Sequence, residues 1–320
     1  MTLPLQILLF VVGLALIVFG ADWLVDGASS IARKWGISEF VIGLTIVGMG
    51  TSAPEMVVSF LGAIAGNADV AVGNVFGSNI LNVLLILGLT AVIAPPMPIT
   101  RDNLRHDIPF NLVATILVIL LGATALLLGF GDNSLSRLDG AILLTCFLAY
   151  MVWSFKNGKP DKAPADEKPR KTWLALLLIL GGLGALIGGG QLFVNSATAI
   201  AKALGISDKF IAITILAGGT SMPELATCVV AAIKRKGQLA LGNILGSNVF
   251  NLLLILGGSA VIHPLSFASM NLIDMGVLLL SALLLLTSAY TGKKNLLDRF
   301  DGAVLLLCEV AYFTWLCIQL

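Results

Sequence analysis

Apolar runs of membrane-spanning length, separated by short polar or Gly/Pro punctuation, fill almost the whole chain. They fall at roughly 5–25, 39–65, 70–94, 108–130, 138–155, 172–201, 208–233, 239–262, 272–290 and 300–318. About twenty apolar residues cross a bilayer core as an α-helix. The pattern therefore predicts an all-α polytopic membrane protein of ten transmembrane helices. The second, third, seventh and eighth runs carry Gly, Pro, Ser, Asn and Glu that the others lack, and these four are expected to be broken helices. One long hydrophilic stretch, residues 156–171 (KNGKPDKAPADEKPRK), reads as a solvated linker too short for a regulatory domain. It divides the chain into two five-helix halves, 1–155 and 172–320.

Composition removes the competing class. The chain is 58% hydrophobic and 12% charged, with a mean hydropathy of +0.98, too few charges to coat a water-soluble domain. Nineteen Lys and Arg against eighteen Asp and Glu give no global attraction to nucleic acid. The four cysteines, Cys146, Cys228, Cys308 and Cys317, lie in apolar runs without CxxC spacing and read as buried small hydrophobes. Met1 to Gln6 lack a basic region, so the first run reads as a retained helix rather than a cleaved signal.

Charge also orients the spans. With both termini outside, 16 of the 19 basic residues fall in cytoplasmic loops, and only Arg137, Lys202 and Lys209 lie outside. The positive-inside rule then predicts a plasma-membrane protein with extracytoplasmic termini and a cytoplasmic linker.

Shifting the sequence by 169 residues aligns Gly36–Pro95 with Gly205–Pro264 without a gap, and 29 of 60 positions are identical. GTSAPE (Gly50 to Glu55) matches GTSMPE (Gly219 to Glu224), and GNVFGSNILN (Gly73 to Asn82) matches GNILGSNVFN (Gly242 to Asn251). Because each half holds an odd number of spans, the second enters the membrane the other way up. Inverted repeats with corresponding helix breaks place a transport site at the membrane midplane.

The repeated residues are suited to a hard cation. Glu55 and Glu224 lie deep in apolar spans, where an ionised carboxylate costs several kcal/mol unless neutralised. No Lys or Arg lies deep in any span to pair with them, so the countercharge must be a cation or protons. Thr51, Ser52 and Glu55 share a helical face by their spacing, as do Thr220, Ser221 and Glu224. Pro54 and Pro223 lack an N–H and free the carbonyls of Gly50 and Gly219. Asn74, Ser78 and Asn82 recur every four residues, and Asn243, Ser247 and Asn251 copy them. Two carboxylates with hydroxyl, amide and carbonyl oxygens suit Ca2+, which takes six to eight oxygens at about 2.3–2.6 Å. Zinc, copper and iron would favour nitrogen or sulfur ligands.

The doubled GTS-x-PE and GN-xx-GSN-xx-N motifs resemble the repeats of the calcium/cation antiporter superfamily, specifically the prokaryotic sodium/calcium exchangers. That resemblance implies four ion sites. Glu55, Glu224, Thr51 and Thr220 would hold Ca2+. Ser52, Ser78, Thr51 and the Gly48 carbonyl would serve one Na+ site. Ser221, Ser247, Thr220 and the Ala217 carbonyl would serve its partner, with Asn82 and Asn251 flanking the centre. Some members carry Asp where this chain has Asn251, which removes a titratable group from the middle.

The expectation is a Na+/Ca2+ antiporter working by alternating access and extruding Ca2+. H+/Ca2+ exchange is the alternative, and a cation channel is a weaker one. An intramembrane enzyme is disfavoured because no base accompanies the Ser and Thr hydroxyls. The partners expected are the lipid bilayer, Ca2+ and Na+, with no cofactor and no required protein partner. Asp22 and Asp26 read as interfacial, His263 as a solvated cap, and Glu309 as a lone acid outside the site.

Overall fold

The apolar runs fold as helices in the computed structural model, which describes residues 2–94, 96–129, 132–158, 170–205, 217–267, 270–291 and 295–318. The principal helices are α1 (Leu3–Trp35), α2 (Glu39–Thr51), α3 (Ala53–Ile64), α4 (Ala68–Ile93), α5 (Asn103–Gly122) and α6 (Arg137–Asn157). After the linker come α7 (Thr172–Ala203), α8 (Met222–Ile233), α9 (Gly237–Ile262), α10 (Leu272–Ser288) and α11 (Arg299–Ile318). Among the described residues seven helices are long and apolar enough to cross a membrane, and α2 with α3 makes an eighth as a bent pair. The first part of the run at 208–233 lies outside the described residues.

The breaks fall where backbone donors run out. α2 and α3 meet at 51° across Ser52, and Pro54 sits in the first turn of α3, where its missing N–H costs nothing. Pro223 occupies the same place in α8, and a short helix, Ala217–Gly219, precedes that break. The third and eighth spans are not broken, contrary to the sequence expectation. α4 and α9 run through without interruption and carry π-helical turns at Asn82–Leu87 and Phe250–Ile255. Neither helix contains proline, so its Gly, Asn and Ser residues loosen the ladder without cutting it.

Lipid cannot supply a hydrophobic drive between helices, so small residues set the packing. Gly13, Gly20 and Gly27 of α1 meet Gly189, Gly182 and Ala175 of α7 backbone to backbone. Gly88 of α4 meets Gly302 of α11, and Gly140 of α6 meets Gly257 of α9 in the same manner. At the centre, Gly242 and Gly246 of α9 receive the backbone of Phe40 and Leu44 from α2. Every residue of α9 from Gly237 to Val249 is buried. By contrast α1 exposes Leu8, Val11 and Phe19, α7 exposes Leu177 and Leu180, and α11 exposes Leu307 and Val310. These large apolar outer faces require a lipid solvent.

Two short antiparallel ladders link the halves: β1 (Met97–Pro98) with β4 (Leu296–Leu297), and β2 (Ser134–Leu135) with β3 (Leu265–Ser266). Tyr150 of α6 donates to the Asp107 carboxylate of α5 at 2.8 Å, and Tyr312 of α11 donates to Asp274 of α10 at 2.9 Å. These clamps were not foreseen, because the partners lie dozens of residues apart and share no motif.

Candidate functional site

The breaks put two carboxylates at helix starts. Glu55 lies in the first turn of α3 and Glu224 in the first turn of α8. There the unpaired N–H groups and the helix dipole favour negative charge. Both side chains are 1% exposed.

Each carboxylate is served by a hydroxyl from the opposite half. Ser52 Oγ donates to Glu224 Oε1 at 2.9 Å, and Ser221 Oγ donates to Glu55 Oε1 at 3.3 Å. Helical spacing had grouped each Ser with its own Glu, but the bend at Ser52 turns the hydroxyl across the molecule. The remaining oxygens, Glu55 Oε2 and Glu224 Oε2, are buried without any hydrogen-bond donor. A buried ionised oxygen left so is costly. Among the described residues no third acid, His or Cys joins the pair.

Neutral oxygens surround the carboxylates. Thr51 and Ser247 are fully buried. Thr220 lies beside Glu55, and Thr51 beside Glu224. Ser247 Oγ donates to the Gly48 carbonyl at 3.3 Å, whereas Ser78 Oγ donates to Asn74 in its own helix at 2.7 Å. The expected Na+ groupings were Gly48 with Ser78, and Ser247 with Thr220 and Ser221; the hydrogen bond in the structure joins Ser247 to Gly48 across the halves. The glycine contacts between α2 and α9 bring Ser247 onto Gly48 instead. Ala217 opens the short helix before the second break. Asn82 Nδ2 donates to Asn248 Oδ1 at 3.0 Å, a partner the sequence did not indicate. Asn82 Oδ1 and both side-chain atoms of Asn251 are buried and unpartnered. A cavity of about 510 Å³ approaches from one side, lined by Pro54, Asn74, Gln191, Thr220 and Pro223 among others.

The family model for sodium/calcium exchanger proteins matches residues 5–156 and 174–320. The chain belongs to the sodium/calcium exchanger family. The exchanger is 40% identical to a protein of Alkalimonas amylolytica designated antiporter CaxA, over 94% of this chain and 95% of that one. It is 32% identical to the sodium/calcium exchanger MaX1 of Methanosarcina acetivorans, over 97% of this chain and 98% of that one. Its fold superposes on the sodium-calcium exchanger NCX_Mj with a TM-score of 0.85 and 32% identity, covering 98% and 99% of the two chains. The family is one of membrane transporters, not of enzymes.

Among the described residues no other acid joins the two glutamates in a cluster. Lys234 bridges Asp22 at 2.7 Å and Asp26 at 2.6 Å, and Arg170 bridges Asp26 at 2.8 Å. Desolvation pulls the Lys234 ammonium down, but hydrogen bonds and charge from the two aspartates win and hold it above its ordinary range. Glu309 is 7% exposed in α11, far along the chain from both motifs. His263 is an exposed helix terminus contacting the Pro264 carbonyl. Of the cysteines only Cys228 is fully buried, while Cys146, Cys308 and Cys317 are partly exposed, and all four are free thiols.

Proposed function

We propose that this exchanger moves Ca2+ against Na+ by alternating access, extruding Ca2+ from the cytoplasm. The observation that carries the reading is the pair of buried, donor-less oxygens Glu55 Oε2 and Glu224 Oε2, with no ion pair to either carboxylate among the described residues. Two negative charges balance one divalent ion completely. Thr51 and Thr220 complete the Ca2+ site. Ser52, Ser221, Ser247, Ser78 and the carbonyls of Gly48 and Ala217 offer neutral oxygens to Na+, with Asn82 and Asn251 at the centre. Protons alone would not need that neutral shell, which favours Na+ over H+ as the coupled ion.

In this reading ten spans form two inverted five-helix repeats, 1–155 and 172–320, joined by a cytoplasmic linker at 156–171, with both termini outside. The reciprocal pairs Ser52–Glu224 and Ser221–Glu55 support it, because a two-fold repeat predicts each contact twice. So does the doubling of the π turns at Asn82 and Phe250.

Counterflow tests the mechanism. Vesicles preloaded with unlabelled Ca2+ should transiently accumulate labelled Ca2+ above equilibrium, with saturable rates. Flux rising linearly with concentration, without counterflow, would mark a channel and overturn the proposal.

A further inference from the structure

A chain of buried side chains leads from Thr51 to Cys228, which lies one turn along α8 from Glu224. Thr51 Oγ1 is within donor distance of Asn243 Oδ1 at 3.1 Å and, less closely, of the Gly48 carbonyl one turn back at 3.3 Å. Asn243 Nδ2 donates to Cys228 Sγ at 3.1 Å, and the thiol faces the Ala240 carbonyl at 3.6 Å. Thr51, Asn243 and Cys228 are all 0% exposed. Thr51 also lies beside Glu224, whose Oε1 accepts from the adjacent Ser52.

A hydroxyl has one proton and two lone pairs. With its proton on Glu224, Thr51 satisfies the carboxylate and competes with any cation there. With its proton on Asn243, Thr51 turns its lone pairs toward the same space as the carboxylate. That second arrangement is repulsive when empty and favourable around a cation. We propose that Asn243 is a positioning residue of the ion site. It accepts the Thr51 proton so that Thr51 presents lone pairs to the bound cation, and Cys228 holds the amide with its oxygen toward Thr51. A flipped amide would aim its NH2 at Thr51 and occupy a lone pair the ion needs. The inference rests on the reading of Thr51 and Glu224 as ion ligands.

The first half supplies an internal comparison. Asn74, the copy of Asn243, donates through Nδ2 to Ser59 Oγ at 2.9 Å and to the Glu55 carbonyl at 3.1 Å. Ser59 stands where the second half has Cys228, so a hydroxyl does there what the thiol does here. Asn74 and Thr220 both line the open cavity. Among the described residues no hydrogen bond joins them, so the relay is closed on the Thr51 side only.

The test measures Ca2+ half-saturation of the full chain, by radiolabelled Ca2+ binding in detergent and by exchange in proteoliposomes. Asn243→Leu, which keeps the branching at Cγ but has no amide donor or acceptor, should raise the Ca2+ half-saturation about tenfold, the scale of one lost neutral hydrogen bond. The maximal rate should change little. Cys228→Ser, which reproduces Ser59, should match wild type, and Cys228→Val should shift half-saturation in the same direction as Asn243→Leu. The double variant Asn243→Leu/Cys228→Val should be no worse than Asn243→Leu alone, because the two act in one chain. A purely structural role would lower the yield of monodisperse protein and the maximal rate while leaving half-saturation unmoved. If Asn243→Leu does not fold, equal half-saturation of Cys228→Val and Cys228→Ser overturns the inference. Glu55→Gln, run in parallel, separates the two levels. If it abolishes binding while Asn243→Leu leaves half-saturation unchanged, the inference fails and the site reading stands. If Glu55→Gln binds Ca2+ like wild type, the site reading fails and takes the inference with it.

Discussion

Glu55 and Glu224 were legible as single residues, because an acid in an apolar run with no basic neighbour demands an explanation. Their hydroxyl partners were not. Ser52 serves Glu224 rather than Glu55, since local spacing describes one helix and says nothing of a partner 172 positions away. Cys228 was read as a small hydrophobe by the same limitation, and the structure gives its sulfur a hydrogen-bonded amide. Glu55→Gln and Glu224→Gln should each abolish Ca2+ flux and leave the protein folded. They should also lose the thermal stabilisation by Ca2+, which for wild type at one hundred times Kd is worth about 2.7 kcal/mol. A Ca2+-dependent rise in melting temperature that persists in both variants would contradict a shared two-carboxylate site. Ser247→Ala removes the hydroxyl on the Gly48 carbonyl and Ser78→Ala removes its counterpart. Each should weaken Na+ dependence more than Ca2+ binding, because Ca2+ is held mainly by the two charges. Half-saturation curves for both ions check the ordering.

Among the elements, proline and glycine carried different amounts of information. Pro54 and Pro223 marked real breaks, each in the first turn after one, whereas Pro109 lies inside α5 and is absorbed by the π turn Asn103–Asp107 just before it. The Gly-rich third and eighth runs were misjudged as broken. The glycines of the eighth run answer to tertiary contact, since a Cβ on Gly246 would lie 2.2 Å from the Leu44 carbonyl oxygen and one on Gly242 would lie 2.2 Å from the Phe40 carbonyl oxygen, whereas a Cβ on Gly73 or Gly77 of the third would meet nothing within 4 Å. Gly246→Ala therefore cannot be absorbed by a side-chain rotation. It should destabilise the exchanger by about 1–3 kcal/mol and lower the rate of exchange, measured by thermal unfolding in detergent and by vesicle flux. Gly184→Ala on α7 meets nothing within 4 Å and is the control. It should be neutral to within about 0.5 kcal/mol. Equal melting temperatures for the two variants would remove the close α2–α9 contact as a structural requirement.

At the scale of the whole molecule, hydropathy announced a polytopic membrane protein, and the repeat announced two related halves. Charge asymmetry proposes the side on which each loop lies. A cysteine introduced between Gly158 and Ala165, in a background cleared of native cysteines, should be labelled in intact cells only by a membrane-permeant thiol reagent. Ready labelling by an impermeant reagent would invert the orientation. The relative packing of the halves was beyond the sequence, because it depends on glycine faces such as Gly88 on Gly302 and Gly140 on Gly257 that repeat symmetry alone does not pair. The central claim is that the two carboxylates bind Ca2+ and that Na+ drives its exchange. The most direct measurement loads proteoliposomes with Na+, dilutes them into Na+-free buffer at equal pH on both sides, and follows labelled Ca2+ uptake. Ca2+ should accumulate in wild-type vesicles and not in those carrying Glu224→Gln. Little uptake should occur when a pH gradient replaces the Na+ gradient. Comparable uptake driven by the pH gradient alone, with Na+ absent, would contradict the claim.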